Sequence, residues 1–162
     1  MEINLENFKI RRSEAKIVGS YNLPENIERY TVKAMGLIGV DVLSGDKISI
    51  INIEGGQVCE VIAFDNKGSN NQSIIGKKIN GDAKFTKYIL TNSSDKKLLL
   101  EKLKKKRINF SETKSSNFFD ETTPSKEKIH LIIQNDGFVI FATPGQDMQV
   151  DQQNAPTDIE VT

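Results

Sequence analysis

A single cysteine, Cys59, and a single histidine, His130, hold all the thiol and imidazole chemistry of this 162-residue chain. A thiol acts as nucleophile or metal ligand in its thiolate form, which needs a base or positive charge beside it and some exposure. Cys59 instead sits in the run Val58-Cys59-Glu60-Val61-Ile62-Ala63-Phe64, a β-type pattern that predicts a packed, inert side chain. His130 lies between Ile129 and Leu131 in another such run and shares a strand face with Ile132. That setting predicts a half-buried or hydrogen-bonded histidine. One cysteine and one histidine cannot complete a zinc site, so no catalytic residue, no metal ligand and no cofactor is expected.

Glu60 is the sharper oddity, because Val58, Ile62 and Phe64 share its face and a carboxylate among apolar groups is costly unless paired or functionally perturbed. Two readings stay open: Glu60 bonds a lysine or backbone amides, or it faces a pocket. Gln57, one residue after Gly55-Gly56, can offer its amide to the same pocket. Gln57 and Glu60 are therefore the candidate ligand-binding residues. Neither a G-x-G-x-x-G sequence nor a lysine-terminated phosphate loop occurs, which leaves nucleotide binding without support.

The elements that must position these residues are mostly strands. Lys16 to Leu23 reads as an early edge strand ended by Pro24, since proline donates nothing to a ladder. Tyr30, Val32 and Ala34 alternate with Thr31 and Lys33, the period of a half-buried strand. Two β-rich runs then flank Glu54-Gly55-Gly56, with Ser44-Gly45-Asp46 before them, and predict a hairpin. The second run, ending at Phe64, is apolar on both faces and predicts a central strand covered on both sides. Asp65 to Asn80 reads as a loop with at most a short turn near Ile74-Ile75, and Phe110 to Lys128 as another loop.

Between the loops, a short run at Phe85 to Leu90 precedes one amphipathic helix over about 95–108, with Leu99 and Leu103 as i,i+4 partners and Ser93, Ser94 or Asp95 as its cap. Lys104-Lys105-Lys106-Arg107 suits the C-terminal end of that helix dipole. A phosphate-binding face would carry interleaved aromatics or a wider basic surface, so nucleic acid is not an expected partner. Ile129 to Ile133, Asn135-Asp136-Gly137 and Phe138 to Ala142 predict a second hairpin. Asp158 to Thr162 reads as a last strand, which fits either a terminal strand closing the sheet or the N-terminal part of a longer protein.

These elements predict one mainly β domain over 1–162, a sandwich or barrel of antiparallel hairpins with one helix. Lys plus Arg and Asp plus Glu number 22 each, so no net field steers the chain to nucleic acid or acidic lipid. The acidic N-terminus Met1-Glu2-Ile3-Asn4-Leu5-Glu6 lacks the basic start and apolar run of a signal peptide. The apolar stretches fall short of the roughly 20 residues needed to span a bilayer. A lone cysteine adds a reducing-compartment reading, and the expected location is cytoplasmic, with no membrane association.

The segment from Gly45 to Phe64, with Gly55-Gly56-Gln57-Val58 followed by the acidic Glu60 and the Ala63-Phe64 ending, resembles the opening signature of the urea-carboxylase-associated protein family. Pro144, Asp147, Asn154, Pro156, Asp158 and Ile159 resemble its Pro-Gln-Asp, Asn and Pro-x-Asp-Ile pattern. The resemblance carries Gln57 and Glu60 over by position and covers about a third of the chain. Family members have central His-Asp, Cys and His-x-Asn-Cys elements, and here that stretch holds loop, helix and lysine. The resemblance therefore implies a non-catalytic accessory or interaction domain beside or fused to an enzyme of nitrogen or one-carbon metabolism, of the aminomethyltransferase type. The alternative is a small-ligand-binding β-barrel with its polar pocket at Gln57 and Glu60.

Overall fold

The computed structural model describes residues 24–92, 96–145 and 155–162. The expected Lys16–Leu23 strand and the caps at Ser93, Ser94 or Asp95 lie outside those residues. The described chain forms β1 (Tyr30–Val32), β2 (Leu37–Val42), β3 (Lys47–Asn52), β4 (Cys59–Asp65), α1 (Lys84–Asn92), α2 (Lys97–Lys105), β5 (Ser116–Phe118), β6 (Glu127–Ile132), β7 (Gly137–Ala142) and β8 (Ile159–Val161). A 3-10 turn at Gln72–Ile75 sits between β4 and α1.

The strands make two antiparallel sheets, in the orders β1-β8-β3-β6 and β2-β7-β4-β5. They stack as a sandwich, and neither sheet closes into a barrel. Neither expected hairpin forms. β3 and β4, on either side of Gly55-Gly56, lie in opposite sheets, as do β6 and β7 across the Asn135-Asp136-Gly137 turn. Short links in this chain step across the roughly 10 Å between stacked sheets; alternation and turn residues are the same for such an arch as for a hairpin. The β3–β4 arch needs glycine at Gly55, where φ is +90° and an added Cβ would fall 2.7 Å from the Thr123 carbonyl oxygen.

The expected central strand is present. β4 runs between β7 and β5, with Cys59, Val61 and Ala63 facing the core between the sheets and Ile62 and Phe64 facing a second core. The second core is closed by helices: Ala83, Leu90 and Leu103 pack with Ile62, Phe64, Phe138 and Ile140. Two helices stand where one was expected, because Phe85 to Leu90 belongs to α1 and not to a short extended run. Thr86 and Leu90 on its inner side are buried at the spacing of one helical turn. β5 also emerges from the expected 110–128 loop, as an edge strand beside Cys59–Val61.

Candidate functional site

Gln57 and Glu60 are core residues, 1% and 5% exposed. Gln57 Nε2 donates to the carbonyls of Val58 and Pro144, both at 2.8 Å, and its Oε1 accepts the Thr157 amide at 2.8 Å. One side chain thus ties the start of β4 to the segments that follow β7 and precede β8. Glu60 Oε1 accepts the Thr86 amide at 2.9 Å and the Thr86 hydroxyl at 2.7 Å. Thr86 stands in the first turn of α1, whose Lys87 amide already bonds the Ala83 carbonyl. Ala83 occupies the capping position and has no side-chain acceptor, so Glu60 reaches up from the sheet and supplies one. Of the two readings open for Glu60, hydrogen bonding to a backbone amide is what the structure displays.

Cys59 is fully buried. Burial raises its thiol far above the usual range, and the neighbouring Glu60 charge adds to this against an opposing hydrogen bond from the Ala142 backbone. The thiol is packed in the core, as expected. His130 is hydrogen-bonded, one of the two settings expected for it, and not half-buried: it is exposed on the outer face of β6, and its Nδ1 lies 2.8 Å from Ser49 Oγ on the facing β3. Sequence distance hid this pair, which exists because β3 and β6 align Ser49 opposite His130.

A groove of about 720 Å³ opens at the end of the sandwich where β1 begins, β8 ends and β2 turns into β3. Val40, Val42, Ile48 and Val161 give it apolar walls, and Glu28, Tyr30, Asp41, Asp46, Lys47 and Ser49 add polar groups. Leu43, 63% exposed, and Ile27 stand at the same groove. The Tyr30 hydroxyl donates to Glu28 Oε2, and that bond, followed by burial and by the Glu28 charge, raises the phenol above its ordinary range. Asp46 Oδ2 accepts the Leu43 amide at 2.8 Å.

Asp41 is held by Lys102 at 2.8 Å and Lys106 at 2.5 Å. Burial pushes its carboxyl up, and the two lysines outweigh that and leave it below the usual range. Neither Gln57 nor Glu60 borders this groove. An apolar Leu43 directly before the Ser44-Gly45-Asp46 turn was the one local sign of an exposed apolar edge. Among the described residues no group of three or more His, Cys, Asp or Glu is placed to hold a metal ion. None of their helices is long and apolar enough to cross a membrane.

No family model matches the chain, and the urea-carboxylase-associated resemblance gains no support beyond its quoted residues. The chain is 32% identical, over 143 residues that make up 87% of its length, to the trimethylamine-oxide aldolase of Ruegeria pomeroyi. Those residues span 18% of that protein, so the likeness concerns a small part of it. The relative is an enzyme, and this overturns the expectation of a non-catalytic accessory or interaction domain. The ligand-binding barrel fares no better, since the sheets stay separate and the Gln57 and Glu60 bonds described above run within the protein. The chain is a mainly β sandwich related in sequence to part of trimethylamine-oxide aldolase.

Proposed function

We propose that this chain serves in an aldolase-type enzyme that breaks down a small methylated amine oxide. The observation that carries the reading is the 32% identity to trimethylamine-oxide aldolase across 87% of the chain. With trimethylamine oxide as substrate the reaction balances without an external oxidant: (CH3)3NO becomes (CH3)2NH and CH2O. One N–O and one C–N bond break and a C–O bond forms, so a methyl carbon is oxidised to the aldehyde while nitrogen is reduced. A proton must also leave that methyl group and reach the amine. The Ser49 hydroxyl and His130 imidazole, 2.8 Å apart and at the surface, form a pair able to pass a proton to a small molecule.

The test is to incubate the purified full chain with trimethylamine oxide. Formaldehyde and dimethylamine are measured together, and substrate binding is followed by saturation transfer to its methyl signal. Binding, with or without equimolar release of the two products, supports the reading. Neither binding nor release at millimolar substrate overturns it.

A further inference from the structure

The chain has no net charge, yet its charge is divided. Residues 66–114, which hold the 3-10 turn and both helices, carry thirteen of the 22 cationic side chains and four of the 22 anionic ones, an excess of nine that the rest of the chain balances. Helix stability explains only part of this. Lys102, Lys104 and Lys105 in the last turn of α2 favour its dipole, but neither helix has an acid in its first turn: α1 begins at Lys84, and α2 begins at Lys97 behind Lys96, which makes no side-chain cap. A cation at the positive end of a helix weakens it. Nor does the fold use all these charges. The ion pairs among the described residues take Lys102, Lys106 and Lys114 from this layer and leave Lys97, Lys104 and Lys105 exposed without one. Two apolar side chains stand among them, Leu98 at 82% exposed and Tyr88 at 59%. Leu98 and Lys105, about two helical turns apart, share the outward side of α2, away from the buried Leu103. Tyr88 lies midway between the buried Thr86 and Leu90 and so points away from the sheet. Glu101 is the single acid on α2.

We propose that the outer face of α1 and α2 docks an acidic segment of a partner polypeptide, one with apolar residues set among its carboxylates. The carboxylates meet Lys97, Lys104 and Lys105, and the apolar residues cover Leu98 and Tyr88, the kind of anchor that concentrates binding energy at an interface. Opposite charge steers such a partner to this face and away from the acidic remainder of the chain. Phosphate partners fit less well. Twelve of the thirteen cations are lysine, where phosphate recognition favours the planar arginine fork, and Tyr88 is the one aromatic among the exposed large apolar residues described, too few to stack successive bases. A bilayer surface takes in a continuous apolar helix face; here that face of each helix is turned to the core, and Glu101 stands one turn from Leu98 on the outside. Docking is independent of the aldolase chemistry, and an inactive protein would still show it.

The probe is a capped peptide of three Leu-Glu-Glu-Glu repeats, titrated at low salt into the isotope-labelled full chain and followed by amide shifts. Shifts centred on Tyr88, Leu98 and Lys105 are expected, with binding about tenfold weaker for the Leu-Lys-Lys-Lys counterpart and about fivefold weaker when alanine replaces leucine in the probe. Lys97→Glu separates docking from stability. It places an acid in the first turn of α2, so Tm holds or rises, while the acidic peptide should bind about fivefold more weakly. Leu98→Ser should weaken the peptide about threefold with Tm unchanged, as at an exposed site away from the core. An oligodeoxythymidine of the same length and vesicles of equal phosphatidylserine and phosphatidylcholine are run beside the peptide. No binding at millimolar peptide, equal binding of the three peptides, shifts elsewhere, or tighter binding of the oligonucleotide or the vesicles would each overturn the proposal, and so would a Lys97→Glu chain that binds the acidic peptide as well as the wild type.

Discussion

Glu60 shows how one buried carboxylate can look like chemistry in the sequence and act as a structural joint in the fold. Its Oε1 takes two hydrogen bonds from Thr86, at the end of α1 where a negative charge is favoured by the helix dipole. Removing it leaves the Thr86 amide and hydroxyl buried without a partner. Glu60→Ala should therefore cost about 3 kcal/mol in urea unfolding, whereas Glu60→Gln, which keeps an acceptor, should cost about 1 kcal/mol. Equal losses would mean that charge, not hydrogen bonding, is what α1 requires. Cys59 makes the opposite case, a residue whose chemistry is switched off. Its burial and raised thiol predict that a thiol reagent labels it only after unfolding, with a labelling rate in denaturant that tracks the unfolding transition.

Strands were legible as elements because alternation is local, and β4 announced its two-sided burial through Cys59, Val61 and Ala63 on one face and Ile62 and Phe64 on the other. Partners were not legible, since Gly55-Gly56 and Asn135-Asp136-Gly137 look alike whether the chain turns back in one sheet or crosses to the next. Gln57 and Glu60 stood out for the right physical reason, a polar group on an apolar run. Their partners Pro144, Thr157 and Thr86 lie 26 to 100 residues away, beyond any spacing rule.

The docking of α2 depends on a similar distant contact. Lys102 and Lys106 hold Asp41 and also lie 4.9 and 5.2 Å from the centre of the Phe138 ring. The Asp41 carboxyl is lowered from its ordinary 3.8, so its stabilising share is complete above that value and is lost as pH falls through the lower, folded one. With both lysines and Asp41 more than a third exposed or nearly so, that share is about 0.5 to 1 kcal/mol. The stability gap between the wild type and Asp41→Asn should be constant from pH 7 to about 5 and close below about pH 4. Gly39, beneath the same ring, allows the contact: an added Cβ would lie 2.4 Å from Phe138 Cζ. Gly39→Ala should destabilise by about 1 to 3 kcal/mol in thermal melts, as overpacking does.

At the scale of the molecule, the three layers are unequal. β7 is buried at every residue and β4 at all but Asp65, because each lies in the middle sheet with a core on both faces. The helical layer rests on that sheet along one side, with Leu90 and Leu103 buried and Phe85, Ile89, Leu99 and Leu100 only half-buried, while Leu98 and Tyr88 face outward at 82% and 59% exposed. An element with one apolar stripe and few buried neighbours opens at lower free energy than one enclosed on both faces. Native-state hydrogen exchange should then divide the chain, with Ile62, Ala63, Val139 and Ile140 amides exchanging at the free energy of global unfolding and those of α1 and α2 at least tenfold faster. Glu60→Ala sharpens the test, because it loosens the joint between β4 and α1 without touching the inter-sheet core. In that variant α1 should lose more protection than β7. Helices and central strands that exchange together, in both proteins, would show instead that the chain unfolds as one cooperative unit.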